Sequence, residues 1–173
     1  MTNKHLTFAI FGNSFQPRKS QSLMRVLDFL RSKGASIIFD RTFYDFLTAE
    51  QNQELGEVGT FEGDDFVISM GGDGTFLKAA VRVGIKSIPL IGINMGRLGF
   101  LADVLPGEVE TALQAVLEGN YNIEEHTAIQ ISTNGGDFDG CHYALNDIAV
   151  LKRDIASMIG IHTSIDGSFR VNY

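Results

Sequence analysis

Apolar residues in the first hundred positions come in short runs, each closed by a glycine-rich or polar break. Residues 6–11 form a run of buried-strand character that stops at Gly12-Asn13-Ser14. Between residues 20 and 33, Leu23, Val26, Leu27 and Leu30 recur at helical spacing, and Gly34 supplies a C-terminal stop. Residues 37–39 predict a second strand, residues 41–50 a helix with aromatic contacts at Phe43 and Phe46, and residues 51–63 a polar loop. A third buried strand over 66–70 is broken by Gly71-Gly72-Asp73-Gly74. A helix is expected from near Thr75, with Leu77, Ala80 and Val81 on its packed face. Residues 87–93 predict a fourth strand. Pro106 then opens a helix whose Val109, Ala112, Leu113, Val116 and Leu117 form a core-facing stripe until Gly119.

The period changes after Tyr121. Ile129, Ile131 and Thr133 alternate with polar neighbours, and Asn134-Gly135-Gly136 offers a hairpin turn. Tyr143, Leu145, Ile148 and Val150 lie on the next strand-like stretch. Ile159, Ile161 and Ile165 alternate up to a second turn signal at Asp166-Gly167, and Phe169, Val171 and Tyr173 alternate after it. Strands alternating with helices predict a mostly parallel sheet, and period-2 segments joined by turns predict antiparallel β structure. The fold class expected is α/β: an N-terminal open, mostly parallel α/β domain over 1–102, followed over 103–173 by a linker helix and the start of an antiparallel all-β domain. A β unit of three or four strands leaves an edge unpaired. The alternation still running at Tyr173 therefore points to a partner chain or to a fragment of something longer.

Composition narrows the class. The 173 residues carry 14 basic and 21 acidic side chains, a net charge of −7, with 44% hydrophobic and 20% charged residues. These values describe a globular chain and argue against a dedicated nucleic-acid surface. The single cysteine, Cys141, has no internal disulfide partner, so a reducing, cytoplasmic setting is expected. No run approaches the length of a membrane span, and the first apolar run is short for a secretory signal. The histidines His5, His126, His142 and His162 are scattered, and His142 beside Cys141 lacks zinc-site spacing. The aromatic group Phe39, Phe43, Tyr44 and Phe46 reads as core.

Three segments carry candidate chemistry. Gly71-Gly72-Asp73-Gly74-Thr75 follows an apolar strand and opens a helix, the context of a glycine-rich phosphate loop. It is neither a Walker A loop nor a GxGxxG fingerprint. An aspartate among those glycines would repel phosphate unless it faces a metal ion or takes a proton from an attacking hydroxyl. The competing reading is a tight turn in which Asp73 caps the helix. Gly92-Ile93-Asn94-Met95-Gly96-Arg97-Leu98-Gly99-Phe100-Leu101 also follows a strand, so both loops should leave the carboxyl edge of the sheet, where open α/β sheets bind ligands. There Phe100 is placed to stack on a base and Arg97 to meet phosphate, unless the segment is a connector with Leu98 and Phe100 in the core. In Ala144-Leu145-Asn146-Asp147-Ile148-Ala149-Val150, an amide and a carboxylate sit inside an apolar strand, where burying both costs energy. They need polar partners there, such as a ribose diol or a purine edge, unless the segment is a bulge or an Asx turn.

Together the three segments resemble the NAD kinase family: GGDG, then GINMGRLGFL, then an Asn-acidic pair on a later strand. Diacylglycerol and sphingosine kinases carry a similar GGDGT, but usually with an Asn-Glu pair close behind it. Here Thr75-Phe76-Leu77-Lys78 follows, and the middle block sides with NAD kinase. The resemblance implies phosphoryl transfer from ATP, or from inorganic polyphosphate, to the 2′-hydroxyl of the adenosine ribose of NAD, giving NADP. It implies Asp73 as the catalytic group that takes or orients the hydroxyl proton, and Gly71, Gly72 and Gly74 as the residues that admit phosphate. Phe100, Asn146 and Asp147 would line the dinucleotide site, and Mg²⁺ or another divalent ion would screen the phosphates without an identified protein ligand. The resemblance and the unpaired β edge together imply a homo-oligomer; no nucleic-acid or membrane partner is expected. Two departures accompany it. Asp147 stands where the family more often has Glu, and past the point where this sequence stops the family continues with a further Asp-Gly segment and a Thr-Gly-Ser-type motif that have no match here. The expectation is a truncated protein that does not turn over alone, with a lipid or diacylglycerol-type kinase and a non-catalytic nucleotide-binding module as the alternatives.

Overall fold

A computed structural model describes residues 5–13, 21–49, 55–96, 99–135, 142–151 and 158–172. The predicted first strand is β1 (Thr7–Gly12), and it is followed by helix α1 (Gln21–Ser32). The stripe Leu23, Val26, Leu27 and Leu30 is buried as the spacing predicts. Gly34 ends α1 with φ +72. The Ala35 N–H donates to the Leu30 carbonyl and the Gly34 N–H to that of Arg31, a Schellman closure that a side chain at position 34 would strain. Next come β2 (Ser36–Phe39) and α2 (Arg41–Thr48), whose cap is Asp40; its Oδ1 accepts the Phe43 N–H at 3.1 Å.

Within residues 51–63, where the sequence predicts a loop, β3 (Glu57–Val58) pairs in parallel with β2. A two-residue edge strand is too short to register as alternation. Then follow β4 (Phe66–Gly71), α3 (Asp73–Val83) and β5 (Leu90–Asn94). The fourth predicted strand therefore starts three residues late. A 3₁₀ turn over Gly84–Lys86 and a left-handed Ser87 (φ +53) occupy the residues before it. Helix α3 buries Thr75, Ala79 and Val83 rather than the expected face, and Val81 is exposed. Small side chains face inward because α3 lies close to the sheet: a Cβ on Gly71 would come within 2.2 Å of the Thr75 Oγ1.

The strands form one parallel sheet in the order β3-β2-β1-β4-β5. The chain winds outward through β1, β2 and β3, then returns to add β4 on the other side of β1. The direction of winding reverses between the carboxyl ends of β1 and β4, where Gly12 pairs with Met70. Side-chain alternation sends Phe8, Ile10, Phe66, Ile68 and Met70 into a large core with α1 and α2. Ala9 and Val67 go to the opposite face with Phe61 and Val83. Helix α4 (Val109–Leu117) joins the larger core through Val109 and Leu113, next to α1. It starts three residues after Pro106, and only those two members of its predicted stripe are fully buried. The Tyr121 ring then meets Phe66 edge-on at 5.5 Å.

Beyond Tyr121 the described structure is antiparallel, as the period predicted, but the ladders are short. β6 (Ile129–Gln130) pairs with β7 (Tyr143–Ala144), and β8 (His162–Ile165) pairs with β9 (Ser168–Asn172). Asp166 (φ +51) and Gly167 (φ +74) make the expected two-residue type I′ turn. The Asn134-Gly135 turn leads into residues that are not described. Val150, Ile165 and Phe169 are exposed, so among the described residues no second layer covers this alternation. Among the same residues, no helix is long and apolar enough to cross a membrane.

Candidate active site

Two glycine-rich loops leave the carboxyl edge of the sheet side by side. Gly71 at the end of β4 pairs with Asn94 at the end of β5, and the Met95 N–H donates to the Gly71 carbonyl at 3.1 Å. Gly72 is the extended N-cap of α3, and its carbonyl accepts the Thr75 and Phe76 N–H groups. No side chain caps this helix, so the reading of Asp73 as its N-cap is excluded. Asp73 instead occupies the first helical turn and reaches sideways to the second loop.

The Asp73 carboxylate accepts three consecutive backbone N–H groups. Oδ2 takes that of Phe100 at 2.8 Å, and Oδ1 takes those of Leu101 at 3.0 Å and Ala102 at 3.1 Å. These bonds hold its pKa below the ordinary carboxylate value, with the Phe100 N–H the largest cause, then Leu101 and Ala102, against a small opposing effect of burial. An ionised oxygen also suits the positive end of the α3 dipole. Two glycines make the approach possible. A Cβ on Gly99 would lie 2.2–2.5 Å from the Asp73 carboxylate atoms, and one on Gly92 would lie 2.7 Å from the Ala102 Cα. Gly71 makes room for Thr75, whereas Gly72 and Gly74 have open space where a side chain would stand. Open backbone at the head of a helix is what a polyphosphate needs for close approach.

Asn94 was missed in the sequence. It is buried, its Oδ1 accepts the Gly96 N–H at 2.8 Å and its Nδ2 donates to the Ala102 carbonyl at 3.2 Å, so its amide ties both ends of the second loop. An Asn followed two residues later by Gly, just past a buried strand, is the signal that points to it. Gly12 was likewise passed over. It lies at the reversal of winding, and its backbone packs on the Phe43 ring so closely that a Cβ would sit 2.2 Å from the ring.

The other predicted residues are placed as follows. Phe100 is held at its backbone by Asp73, and the residue is 99% exposed. It is thus not core, as the connector reading required. Asn146 and Asp147 are exposed and follow β7 in a bend and an irregular stretch, so the premise that they lie buried inside a strand is corrected. β7 itself neighbours α3, the helix that Asp73 opens. Arg97, Leu98 and Cys141 lie outside the described residues. Among the described residues no group of three or more His, Cys, Asp or Glu side chains converges as a metal cage would. A shallow depression bounded by Arg31, Ser36, Leu55 and Glu57 lies at the amino ends of β2 and β3, away from both loops.

Comparison with known proteins gives a family match and several relatives. The family described as the ATP-NAD kinase N-terminal domain matches residues 8–121. An NAD kinase of Bacteroides fragilis is 44% identical over 172 residues, covering 97% of this chain and 59% of that protein. An NAD kinase of Cytophaga hutchinsonii is 33% identical, covering 97% of this chain and 60% of its own length. The chain thus spans about three-fifths of the curated relatives it matches. Among solved structures, yeast NADH kinase complexed with NADH superimposes with a TM-score of 0.74 at 16% identity, over 99% of this chain and 55% of that one. That likeness concerns the fold.

Proposed function

The chain belongs to the NAD kinase family, and from that premise we propose that its paired loops serve phosphoryl transfer from ATP to the adenosine ribose 2′-hydroxyl of NAD, giving NADP. The observation that carries this reading is the Asp73 carboxylate, fixed by three N–H groups beside the open backbone of Gly72 and Gly74. A carboxylate oxygen offers about two acceptor positions. Oδ1 is filled by two N–H groups, and Oδ2 keeps one position for a substrate hydroxyl.

A carboxylate with a lowered pKa is a weak base. It holds the hydroxyl in line and accepts its proton only as the oxygen–phosphorus bond forms and the bond to the ADP leaving group breaks. Phosphoryl transfer asks mainly for positioning and charge stabilisation, which the start of α3 and its glycine backbone supply. In this reading Gly71, Gly72 and Gly74 shape the phosphate loop, and Phe100, Asn146 and Asp147 contact the dinucleotide. The described side chains do not fit a resident metal cage. The Mg²⁺ expected with the donor would be held by its phosphates and water and would screen their charge. A cytoplasmic setting and a homo-oligomer belong to the same proposal.

The test offers NAD and diacylglycerol side by side to protein spanning the full length of the relatives, with γ-labelled ATP and with labelled polyphosphate. Label in NADP is the expected result. Label in the lipid, or nucleotide binding without transfer to either acceptor, overturns the reading.

A further inference from the structure

Among the described residues, no charged side chain holds Asp73. Its partners are the N–H groups of Phe100, Leu101 and Ala102, a concave row of backbone donors on the neighbouring loop. Such a row fixes an anion well, provided nothing occupies the space in which the anion sits. That space is adjacent to Gly99: any Cβ there would stand 2.2 Å from Oδ1, 2.4 Å from Cγ and 2.5 Å from Oδ2. The far side of the loop is closed by the Asn94 amide, which grips Gly96 and the carbonyl of Ala102.

We infer that Gly99 is a positioning residue for the reaction: its missing side chain admits the Asp73 carboxylate to the backbone nest formed by residues 100–102. This rests on the reading of Asp73 as the group that serves the hydroxyl. Gly99 does its work through space alone. The atoms a new Cβ would strike belong to the end of one side chain, which can rotate away, so the fold survives the substitution while the carboxylate is displaced. A structural glycine behaves in the opposite way. Gly92, for example, would strike the Ala102 backbone, which has nowhere to go.

The test uses the 173-residue chain and needs no turnover. In Gly99→Ala, amide hydrogen exchange at Phe100, Leu101 and Ala102 should quicken about tenfold or more, the worth of a lost hydrogen bond to a charged group. The amides of β4 and α1 should be unchanged, and the Asp73 carboxyl ¹³C titration should return to the ordinary carboxylate range. Asp73→Ala should deprotect the same three amides, and Gly107→Ala, whose new Cβ meets open space, should alter neither readout. Unchanged protection and titration in Gly99→Ala overturn the inference, as does retained protection in Asp73→Ala. In protein long enough to turn over, Gly99→Ala should lower kcat about 100-fold, the cost of a small misplacement, with KM for ATP little altered. A displaced Asp73 with undiminished transfer would remove Asp73, and Gly99 with it, from the chemistry, whereas unchanged protection in Gly99→Ala overturns the inference alone and leaves the proposed transfer untouched.

Discussion

At the scale of single residues, the glycines of the two loops divide by what stands opposite them. Gly71 faces Thr75, a β-branched side chain with little rotamer freedom, held under α3. Gly71→Ala should therefore overpack the strand-to-helix turn and cost about 1–3 kcal/mol in urea unfolding. Gly72→Ala meets open space and should cost far less, and equal losses would refute this division. Asp64 offers a second residue-scale test. It is buried, its Oδ2 has no hydrogen-bond partner among the described residues, and its pKa is raised by burial and by Asp65, with Lys86 opposing. A carboxyl whose folded pKa is raised favours folding in acid. Its ionisation withdraws that stability as pH climbs from the ordinary carboxylate pKa through the raised one. Asp64→Asn should thus be more stable than the wild type at neutral pH, with the gain vanishing below the ordinary carboxylate range in melts across pH. A gain that grows toward acid would contradict the assignment.

At the scale of elements, what was legible in the sequence follows from burial. The stripe of α1 and the runs of β1 and β4 could be read because each is buried deeply enough for the pattern to be unmixed. β3 was not legible because two edge residues carry no period, and the α3 face was misread because small residues, not large ones, approach the sheet. The site was half legible. Motif spacing isolated Asp73 and placed it after a strand, but the three-way bond to residues 100–102 joins segments far apart in sequence and leaves no local trace. Gly99 was hidden for the same reason, whereas Asn94 carries a local signal in the Gly two residues after it. Asp40 shows an element boundary set by one side chain. Buried itself, it caps α2 through Oδ1 and lies 3.5 Å through Oδ2 from the half-exposed Arg82 of α3. Asp40→Ala should cost about 1–2 kcal/mol through the lost cap. Asp40→Asn keeps the cap and should cost less than about 1 kcal/mol. Chemical denaturation of both variants separates cap from ion pair, and equal costs would assign the stability to the charge.

At the scale of the whole molecule, the order β3-β2-β1-β4-β5 brings Gly12, the loop from Gly71 to Gly74 and the Asn94 loop to one edge, at the reversal of winding. The helices on both faces need only hold that edge still. The antiparallel residues beyond Tyr121 are short ladders with exposed apolar positions, and the chain spans about three-fifths of its relatives. The proposed chemistry is therefore best examined in protein of their full length. The decisive measurement is labelled phosphate transfer from ATP to NAD by wild type and Asp73→Asn, with the fold of each checked by circular dichroism. The account predicts NADP formation by the wild type and a loss of about 100-fold or more in the variant, with the fold intact. Near-normal transfer by a folded Asp73→Asn would contradict it.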